Sequence, residues 1–340
     1  MKLLRVIGAA AAVALCSTGW ANAETTTLRV ASWAPPSHAM NAMVFQTWGK
    51  WVEEATHGHV KIKVEYPQVP PPNLPDLVVD GGADISWISH AYSAGRYTME
   101  QCVDLPGMGA NAEAGSVAYW RTYQKYLIKA GEHSDVVLLG LTTHGQGTLQ
   151  LRKPIKSLSE LKGMKIRVPG GIGNEIIKLL GAQGVGVPAP KVYETLAQGV
   201  ADGVIMPIET KKSFKLYEVA PFTLIIPGGM YYNSFGFIMN KASFAKLSKE
   251  DQAALMSVSG EKLSRLAGQG WDKGDAEGYA LIKEKHLPTV TANPEMTAEY
   301  FNITSQLETE WIAKAKAKGI DGAAALAYLR AEAKSYKKMN

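Results

Sequence analysis

The segment "MKIRVPGG", residues 164–171, ends a predicted β-strand with a basic side chain. Apolar residues alternate in it with Lys165 and Arg167, and a period of two is typical of a strand. The proline and two glycines that follow predict a turn, so Arg167 lies at the carboxyl end of the strand. In open α/β sheets, ligands bind beyond these strand ends. Arg167 is therefore a candidate for holding a carboxylate, to which its planar guanidinium can donate two parallel hydrogen bonds.

Strands and helices alternate along the chain on both sides of this segment. Strand-like patterns end at Trp33 and cover residues 60–67, 83–89, 136–143, 148–154 and 202–208. Helix-like patterns cover residues 41–58, 72–82, 173–181, 189–200, 255–284 and 295–337. This alternation predicts an α/β fold in which crossover helices join parallel strands.

The length of 340 residues is typical of about two domains, and no low-complexity linker separates them. We therefore expect two α/β lobes joined by chain crossings at a hinge. Predicted lobe I comprises residues 24–144 and 232–270. Predicted lobe II comprises residues 145–231 and 271–340.

The N-terminus predicts export. Two basic residues precede a short apolar run, and residues 21–23 form an A-x-A cleavage pattern before Glu24. Residues 1–23 are therefore predicted to be a cleavable signal peptide, and the mature protein is predicted to be periplasmic. An uncleaved anchor is less favoured, because a bilayer span needs about 20 apolar residues. Cys16 lacks the small preceding residue of a lipoprotein, and only Cys102 would remain after cleavage, so no intramolecular disulfide is expected.

Composition and motifs argue against several classes of function. The formal charge is +5, and removing the two basic signal residues leaves +3, which is too small for a nucleic-acid-binding surface. The HExxH, GxSxG, Walker A and CxxC motifs are absent, and a GxGxxG pattern from Gly171 fails at Ile176. An SxxK match predicts a helix start capped by Ser159, and His57 and His59 predict a solvated turn. We predict no enzyme activity, no cofactor and no metal; a periplasmic hydrolase is the disfavoured alternative.

Three further segments occur in a specific order: "SLSELKGMKIRVPGG" at 157–171, "APKVYETLAQGVADGV" at 189–204 and "SFKLYEVAPF" at 213–222. This order resembles the solute-binding proteins of tripartite ATP-independent periplasmic (TRAP) transporters, the DctP-like family, over essentially the whole mature chain. The resemblance implies two lobes around a ligand cleft, a long helix spanning both lobes, and capture of organic acids. It implies delivery to the membrane permease subunits of a sodium-coupled transporter, and we expect a monomer. It also implies that Arg167, in the family's "LKGxKxR" strand, binds the ligand carboxylate.

Two positions depart from the sialic-acid-type members of this family. Those members carry a second arginine near the segment "TTHGQGT" and an asparagine after a later "DG", where this chain has Gly147 and Met206. Both changes predict a less polar pocket. Gln146 and Thr148 are candidate polar contacts, whereas Arg152 is expected in a loop outside the pocket.

Aromatic and polar residues near other strand ends complete the predicted site. They are Trp33, Trp87, His90, Tyr92, Glu209, Tyr231 and Tyr232. Each alone is more often a packing residue than a ligand contact, but several loops are expected to converge on one edge. We therefore expect an organic monocarboxylate with an aromatic or apolar body, such as an aromatic, 2-oxo or hydroxy acid. A C4-dicarboxylate or a sugar acid is the alternative, and it requires a second cationic contact.

Overall fold

The computed structural model describes residues 25–93 and 95–336. The predicted signal peptide, including Cys16 and the cleavage site before Glu24, lies outside these ranges. Within them, no helix is long and apolar enough to cross a membrane.

The described residues form two β-sheets. The strands are β1 (Thr26–Ala31), β2 (Val60–Glu65), β3 (Ile85–Ser89), β4 (Val137–Thr143), β5 (Gly147–Leu151), β6 (Lys165–Val168), β7 (Gln183–Gly186), β8 (Gly203–Pro207), β9 (Phe222–Ile225), β10 (Ser234–Met239) and β11 (Thr289–Thr291). The first sheet has the order β2-β1-β3-β10-β4, and the second has the order β11-β9-β5-β8-β6-β7. All five residues of β3 are buried, as is typical of a central strand covered on both faces.

Both sheets are mixed, although the sequence predicts parallel strands. In the first sheet β1 runs parallel to β2 and β3, as predicted, but β10 is antiparallel to β3 and β4. In the second sheet β6 runs parallel to β7 and β8, whereas β5 is antiparallel to β8 and β9. The chain reaches the antiparallel strands β5 and β10 through the two short crossings from the other sheet, whereas β11, reached through the long helix Glu261–Glu284, runs parallel to β9. No crossover helix packed on its own sheet precedes either of these two strands, so the rule for βαβ units does not determine their direction.

Helices pack around the two sheets. They are α1 (Gln46–Ala55), α2 (Leu74–Val79), α3 (Ala112–Thr122), α4 (Gly171–Leu179), α5 (Val192–Ala197), α6 (Thr210–Ser213), α7 (Lys241–Lys246), α8 (Lys249–Ser257), α9 (Glu261–Glu284), α10 (Pro294–Thr304), α11 (Gln306–Ala317) and α12 (Gly322–Ser335). A π-helical turn, Met40–Phe45, leads into α1. The predicted helical regions 255–284 and 295–337 are thus each divided, the first at Gly260, whose φ of +60° is outside the helical range.

The long helix α9 touches elements of both sheets. A Cβ on Gly268 would lie 2.5 Å from Glu113 Cα at the start of α3, which packs on β4. A Cβ on Gly278 would lie 2.4 Å from the Ile208 carbonyl oxygen, directly after β8. Glycine is therefore required at both points for the helix to approach the two backbones. The predicted lobe-spanning helix is α9.

The last helix lies beside the first sheet. The helix α12 packs against α3, although the predicted boundaries assign residues 271–340 to lobe II. Trp311 of α11 donates from Nε1 to the Thr98 carbonyl at 3.1 Å, which connects the C-terminal helices to the segment between β3 and α3. The first sheet contains β1–β4 and β10, and the second contains β5–β9 and β11. The lobe boundaries stay a prediction.

Two local predictions need correction. Ser157, rather than Ser159, caps the short 3-10 helix Leu158–Leu161, because Ser157 and Glu160 form a reciprocal capping box. The short strands β7, β9 and β11 were not predicted, since three or four residues give too little periodicity for a pattern.

Candidate ligand-binding site

A cavity lies between the two sheets, beside the segments where the chain crosses from one to the other. It contains about 380 Å³ of space free of protein atoms, counting space open to solvent, and about 30 Å³ of room for the centres of water-sized molecules. Its walls are formed by Trp33, His38, Ser89, Tyr92, His144, Arg167, Pro169, Ala189, Met206, Pro207, Glu209, Phe214, Tyr231, Asn233, Phe235 and Trp271. This lining is mostly aromatic and apolar, with a few polar groups that converge on one space, as in most small-molecule sites.

Two chain crossings form one side of the cavity. Residues 144–146 lead from β4 into β5, and residues 226–233 lead from β9 back into β10. The crossings pair with each other, because the Gly147 amide donates to the Tyr231 carbonyl at 2.9 Å and the Met230 amide donates to Gly147 at 3.3 Å. A Cβ at Gly147 would lie 2.2 Å from the Tyr231 ring. Glycine is thus required by the crossing itself, which explains the lack of a second arginine there.

Arg167 is the cationic group of the cavity. It lies in β6 and is only 1% exposed. Its Nε donates to the Val187 carbonyl at 2.8 Å, but its buried Nη2 has no hydrogen-bond partner among the described residues. No carboxylate of those residues lies within 4.0 Å of the guanidinium. A buried cation without a counterion is costly, so this arrangement favours an anionic ligand.

Three more buried polar atoms of the cavity wall have no hydrogen-bond partner in the described structure. They are His38 Nε2, His144 Nε2 and Trp271 Nε1. Buried polar atoms are normally hydrogen-bonded. Together with Arg167, they indicate a set of contacts that a ligand completes.

The aromatic wall is built by stacking. The Trp33 ring stacks on Trp87 with centroids 4.2 Å apart, and its Nε1 donates to the Trp87 carbonyl at 3.0 Å. Trp271 of α9 packs against Phe235 at 5.3 Å and approaches His144 at 6.0 Å. These contacts hold the rings at fixed angles, so the wall offers flat surfaces to an apolar or aromatic body.

The structure brings several of the predicted residues to the cavity. Arg167, Trp33, Tyr92, Met206 and Glu209 line it, as does Tyr231. Tyr92 also bridges its two sides, because the Ala189 amide donates to the Tyr92 hydroxyl at 2.8 Å.

Five predicted residues lie elsewhere. Trp87 is covered by Trp33, and its Nε1 donates to Ser32 at 3.0 Å. Thr148 donates to the Met206 carbonyl at 2.9 Å, and Tyr232 donates to the Ala110 carbonyl at 3.1 Å. Gln146 is half-buried and His90 is 2% exposed, and neither is part of the lining. Arg152 is exposed after β5, in the place where the sequence predicts a loop outside the pocket.

His90 belongs to a separate cluster. Its Nε2 lies 3.1 Å from His133 Nε2, and its Nδ1 lies 3.3 Å from the Tyr119 hydroxyl. The Tyr119 hydroxyl also donates to Glu100 at 2.5 Å. Both ring nitrogens of His90 therefore have partners within the protein, and none is left for a ligand.

Sequence reasoning missed several residues of the wall. They are His38, Ser89, His144, Pro169, Ala189, Pro207, Phe214, Asn233, Phe235 and Trp271. His144 directly follows β4, so the strand-end rule that selected Arg167 also applies to it. Trp271 lies within α9, where no local pattern distinguishes a ligand contact from packing.

Acidic groups near the cavity do not form a metal site. Within the described ranges, no group of three or more His, Cys, Asp or Glu side chains could hold a metal ion. Glu209 Oε2 lies 3.9 Å from His38 Nε2, and the Glu209 amide donates to Asp275 at 2.9 Å. Burial raises the pKa of Asp275 to about 8, so this carboxyl is predominantly neutral at pH 7.

Comparison with known proteins identifies the family. The family described as "Bacterial extracellular solute-binding protein, family 7" matches residues 30–316. A TRAP periplasmic solute-binding protein from Bordetella bronchiseptica, solved with (R)- and (S)-mandelate, is 40% identical, with a TM-score of 0.88 over 91% of this chain and 99% of that chain.

Two other solved structures are similar to this chain. One is a TRAP solute-binding protein from Rhodoferax ferrireducens with copurified benzoate, which is 28% identical, with a TM-score of 0.85 over 91% of this chain and 98% of that chain. The other is a marine metagenome protein described as specific for aromatic acid ligands, with 3-hydroxybenzoate, at 31% identity and a TM-score of 0.85 over 93% of this chain and 100% of that chain. The chain belongs to the bacterial extracellular solute-binding proteins of family 7, the DctP-like proteins of TRAP transporters.

Proposed function

We propose that this protein captures an aromatic monocarboxylate in the periplasm and delivers it to the permease subunits of a sodium-coupled TRAP transporter. The observation that carries the proposal is Arg167, which is buried at 1% exposure with an unpartnered Nη2. A ligand carboxylate can accept two parallel charge-assisted hydrogen bonds from such a guanidinium. It thereby supplies the counterion that the described residues do not.

The lining favours one carboxylate over two. Arg167 is the only lysine or arginine among the residues that form the cavity wall, within the part of the chain described by the structure. A second carboxylate would be desolvated without a cationic partner and would face Glu209, which costs free energy. A C4-dicarboxylate or a sugar acid is therefore the weaker candidate.

The walls favour an aromatic body. Trp33, Phe214, Tyr231, Phe235 and Trp271 offer ring faces and edges around a space of about 380 Å³. Three similar proteins were solved with mandelate, benzoate and 3-hydroxybenzoate, which agree with this chemistry.

The cellular context is part of the proposal. The family consists of extracytoplasmic solute-binding proteins, and the residues before Glu24 carry the pattern of a cleavable signal peptide. Mass spectrometry of the exported protein is expected to give a mature chain that begins at Glu24. An intact N-terminus, or a lipid on Cys16, would contradict export by this signal.

A screen of organic acids tests the ligand class. A ligand at 100 times its dissociation constant stabilises the folded state by about 2.7 kcal/mol, so thermal unfolding detects it readily. We expect mandelate, benzoate or a related aromatic acid to raise the unfolding temperature, and calorimetry to rank it above succinate and glucuronate. Tight binding of succinate, with no binding of any aromatic acid, would overturn the proposal.

A further inference from the structure

His144 places a hydrogen-bonding atom in the cavity that the carboxylate cannot use. The residue is 3% exposed and lies in the crossing between β4 and β5. Its Nδ1 lies 2.6 Å from the Gly145 carbonyl oxygen, which only accepts hydrogen bonds. The proton of the ring is therefore on Nδ1.

The second nitrogen of this ring is an acceptor. Burial, together with the positive charge of Arg167, lowers the pKa of His144 to about 4, so the imidazole is neutral at pH 7. A neutral imidazole with its proton on Nδ1 carries a lone pair on Nε2. This Nε2 is buried and has no partner among the described residues.

The other three buried and unpartnered atoms named above are donors. His38 Nδ1 accepts a hydrogen bond from the Met40 amide at 3.2 Å, so the His38 proton is on Nε2. Trp271 Nε1 and Arg167 Nη2 can only donate. A carboxylate therefore suits these three atoms, but it has no hydrogen to offer to His144 Nε2.

We infer that His144 Nε2 accepts a hydrogen bond from a hydroxyl of the ligand, so that the natural ligand is a hydroxy-substituted aromatic carboxylate. This inference rests on the proposed function. It adds the requirement for a hydroxyl, which none of the arguments for a carboxylate or an aromatic body supplies. Without that hydroxyl, the buried acceptor stays unpaired in the complex, and an unpaired buried acceptor weakens binding.

A neutral hydroxyl fits the site better than an ammonium group. Arg167 and His144 line the same cavity, and the positive charge of Arg167 contributes to the lowered pKa of that ring. The same charge repels a second cation near Nε2, whereas a hydroxyl can donate there without a charge. The Glu209 carboxylate also lines the wall, and its Oε2 lies 3.9 Å from His38 Nε2.

The experiment uses matched ligands and the full mature protein. Calorimetry compares mandelate with phenylacetate and with phenylglycine, which differ only in carrying a hydroxyl, a hydrogen or an ammonium group on one carbon. A second pair, 3-hydroxybenzoate and benzoate, places the hydroxyl on the ring. We expect at least one hydroxylated acid to bind about fivefold or more tightly than its parent acid. The pair that shows the difference locates the hydroxyl.

Variants assign the preference to His144. In His144→Phe an aromatic ring is kept, while the Nε2 acceptor and the Nδ1 donor to Gly145 are lost, so the affinity ratio within the discriminating pair is expected to fall toward one, with the parent acid still bound. His59→Phe is the matched control, because His59 is partly exposed outside the cavity beside Asp251, and the ratio should be unchanged there. Circular dichroism and thermal unfolding verify the fold of both variants. Since the wild-type ratios need no variant, the inference is testable even if His144→Phe does not fold.

The possible outcomes separate this inference from the proposed function. Aromatic acids that bind with hydroxyl ratios below fivefold would overturn the inference and leave the proposed function standing. If the affinity ratio persists in folded His144→Phe, His144 does not accept the hydrogen bond from the ligand hydroxyl. If phenylglycine binds more tightly than mandelate, the site prefers an ammonium group to a hydroxyl, and the inference is wrong. If no aromatic acid binds at all, the proposed function fails first, and the inference fails with it.

Discussion

Arg167 combines burial with an incomplete set of partners, and its substitution gives the sharpest test of the site. In Arg167→Ala, a bound carboxylate would be desolvated and unpaired, and loss of one member of such a pair costs about 2–5 kcal/mol. We expect calorimetry to show binding weakened by about a hundredfold or more. Arg167→Lys retains the charge but loses the two-pronged geometry, and it leaves the Val187 carbonyl without its donor, so it is impaired as well.

Arg152→Ala is the matched control for this test. Arg152 is exposed after β5 of the same sheet, so its loss removes an arginine without touching the cavity. The affinity of Arg152→Ala for the ligand is expected to equal that of the wild type. If folded Arg167→Ala also binds within threefold of the wild type, Arg167 has a structural role and does not hold the ligand.

The sequence allowed the arginine of the site to be predicted, but only part of its surroundings. Arg167 follows from alternation and a strand end, which are local features. His144 directly follows β4 in the quoted segment "TTHGQGT", so the strand-end rule applies to it, whereas Gln146 of the same segment does not line the cavity. Trp271 reaches the site only because α9 crosses beside it, and that is a long-range packing relation that no window of sequence contains.

At the level of elements, the segment after β3 contributes His90 to a buried polar cluster. The members of this cluster are Glu100, Tyr119, His90 and His133. The Tyr119 hydroxyl donates to Glu100 Oε2, and His133 Nδ1 lies 3.5 Å from Glu100 Oε1. Burial lowers the pKa of His133 to about 4 and raises the pKa of Glu100 to about 8. With Glu100 protonated, these groups form a neutral network: Tyr119 donates to Glu100, and each histidine can donate to its neighbour, His133 to His90 and His90 to Tyr119. Glu100 Oε1 and His133 Nδ1 have no hydrogen-bond partner among the described residues.

Glu100 in this polar cluster predicts that the free energy of unfolding depends on pH. The pKa of Glu100 is about 8 in the folded chain and near its usual 4.5 when unfolded, so its contribution is full at low pH and is lost as pH rises through about 8. Glu100→Gln keeps an acceptor for the Tyr119 hydroxyl and does not titrate. We expect denaturant unfolding to show that the free energy of unfolding of this variant, relative to the wild type, increases from about pH 5 to about pH 8.

The difference in the free energy of unfolding between Glu100→Gln and the wild type reports the titration of Glu100 alone. Asp104 and Asp275, whose pKa values burial raises to about 7 and about 8, lower the stability over the same range in both proteins. Each titrating group contributes a slope of at most about 1.4 kcal/mol per pH unit. Parallel curves for the variant and the wild type would show that Glu100 does not titrate in this range.

The packing of α9 gives a second test at the level of elements. Alanine is the better helix former by about 1 kcal/mol, but a Cβ on Gly268 would meet the Ala112 carbonyl oxygen at 2.6 Å. We therefore expect Gly268→Ala to lower the free energy of unfolding by about 1–3 kcal/mol. Gly186→Ala in β7 is the matched control, since no atom lies within 4 Å of its Cβ, and a change within about 0.5 kcal/mol is expected in denaturant titrations. Equal stability of the two variants would show that α9 can move away from α3.

For the whole molecule, the sequence predicts the α/β class and two groups of strands, because the periodicity of apolar residues and the order of the elements can be read from it directly. It does not predict the mixed direction of the strands, because that direction depends on where the chain crosses between the sheets. The place of α12 beside α3 depends on the complementarity of distant apolar faces. The lobe boundaries remain a prediction, and the two chain crossings with α9 are the three connections about which hinged motion would occur.

Closure of the cleft around the ligand is the prediction at this scale. In the structure the two sides of the cavity touch, since Tyr92 accepts from the Ala189 amide and the turn at Gly170 lies against the Ala91 carbonyl. A ligand that contacts Arg167 on one side and the aromatic residues on the other binds the closed form more tightly, so it shifts the population toward closure. Small-angle scattering is expected to give a smaller radius of gyration with a confirmed ligand than without it.

Arg167→Ala is the control for closure. At a ligand concentration that saturates the wild type and leaves the variant mostly free, the variant should keep the radius of gyration of the ligand-free protein. A wild-type curve that does not change on binding would show that the protein is already closed without ligand. In that case the contact between Tyr92 and Ala189 would be a permanent part of the fold, and the ligand would enter by local motion of the cavity wall instead of by movement of the lobes.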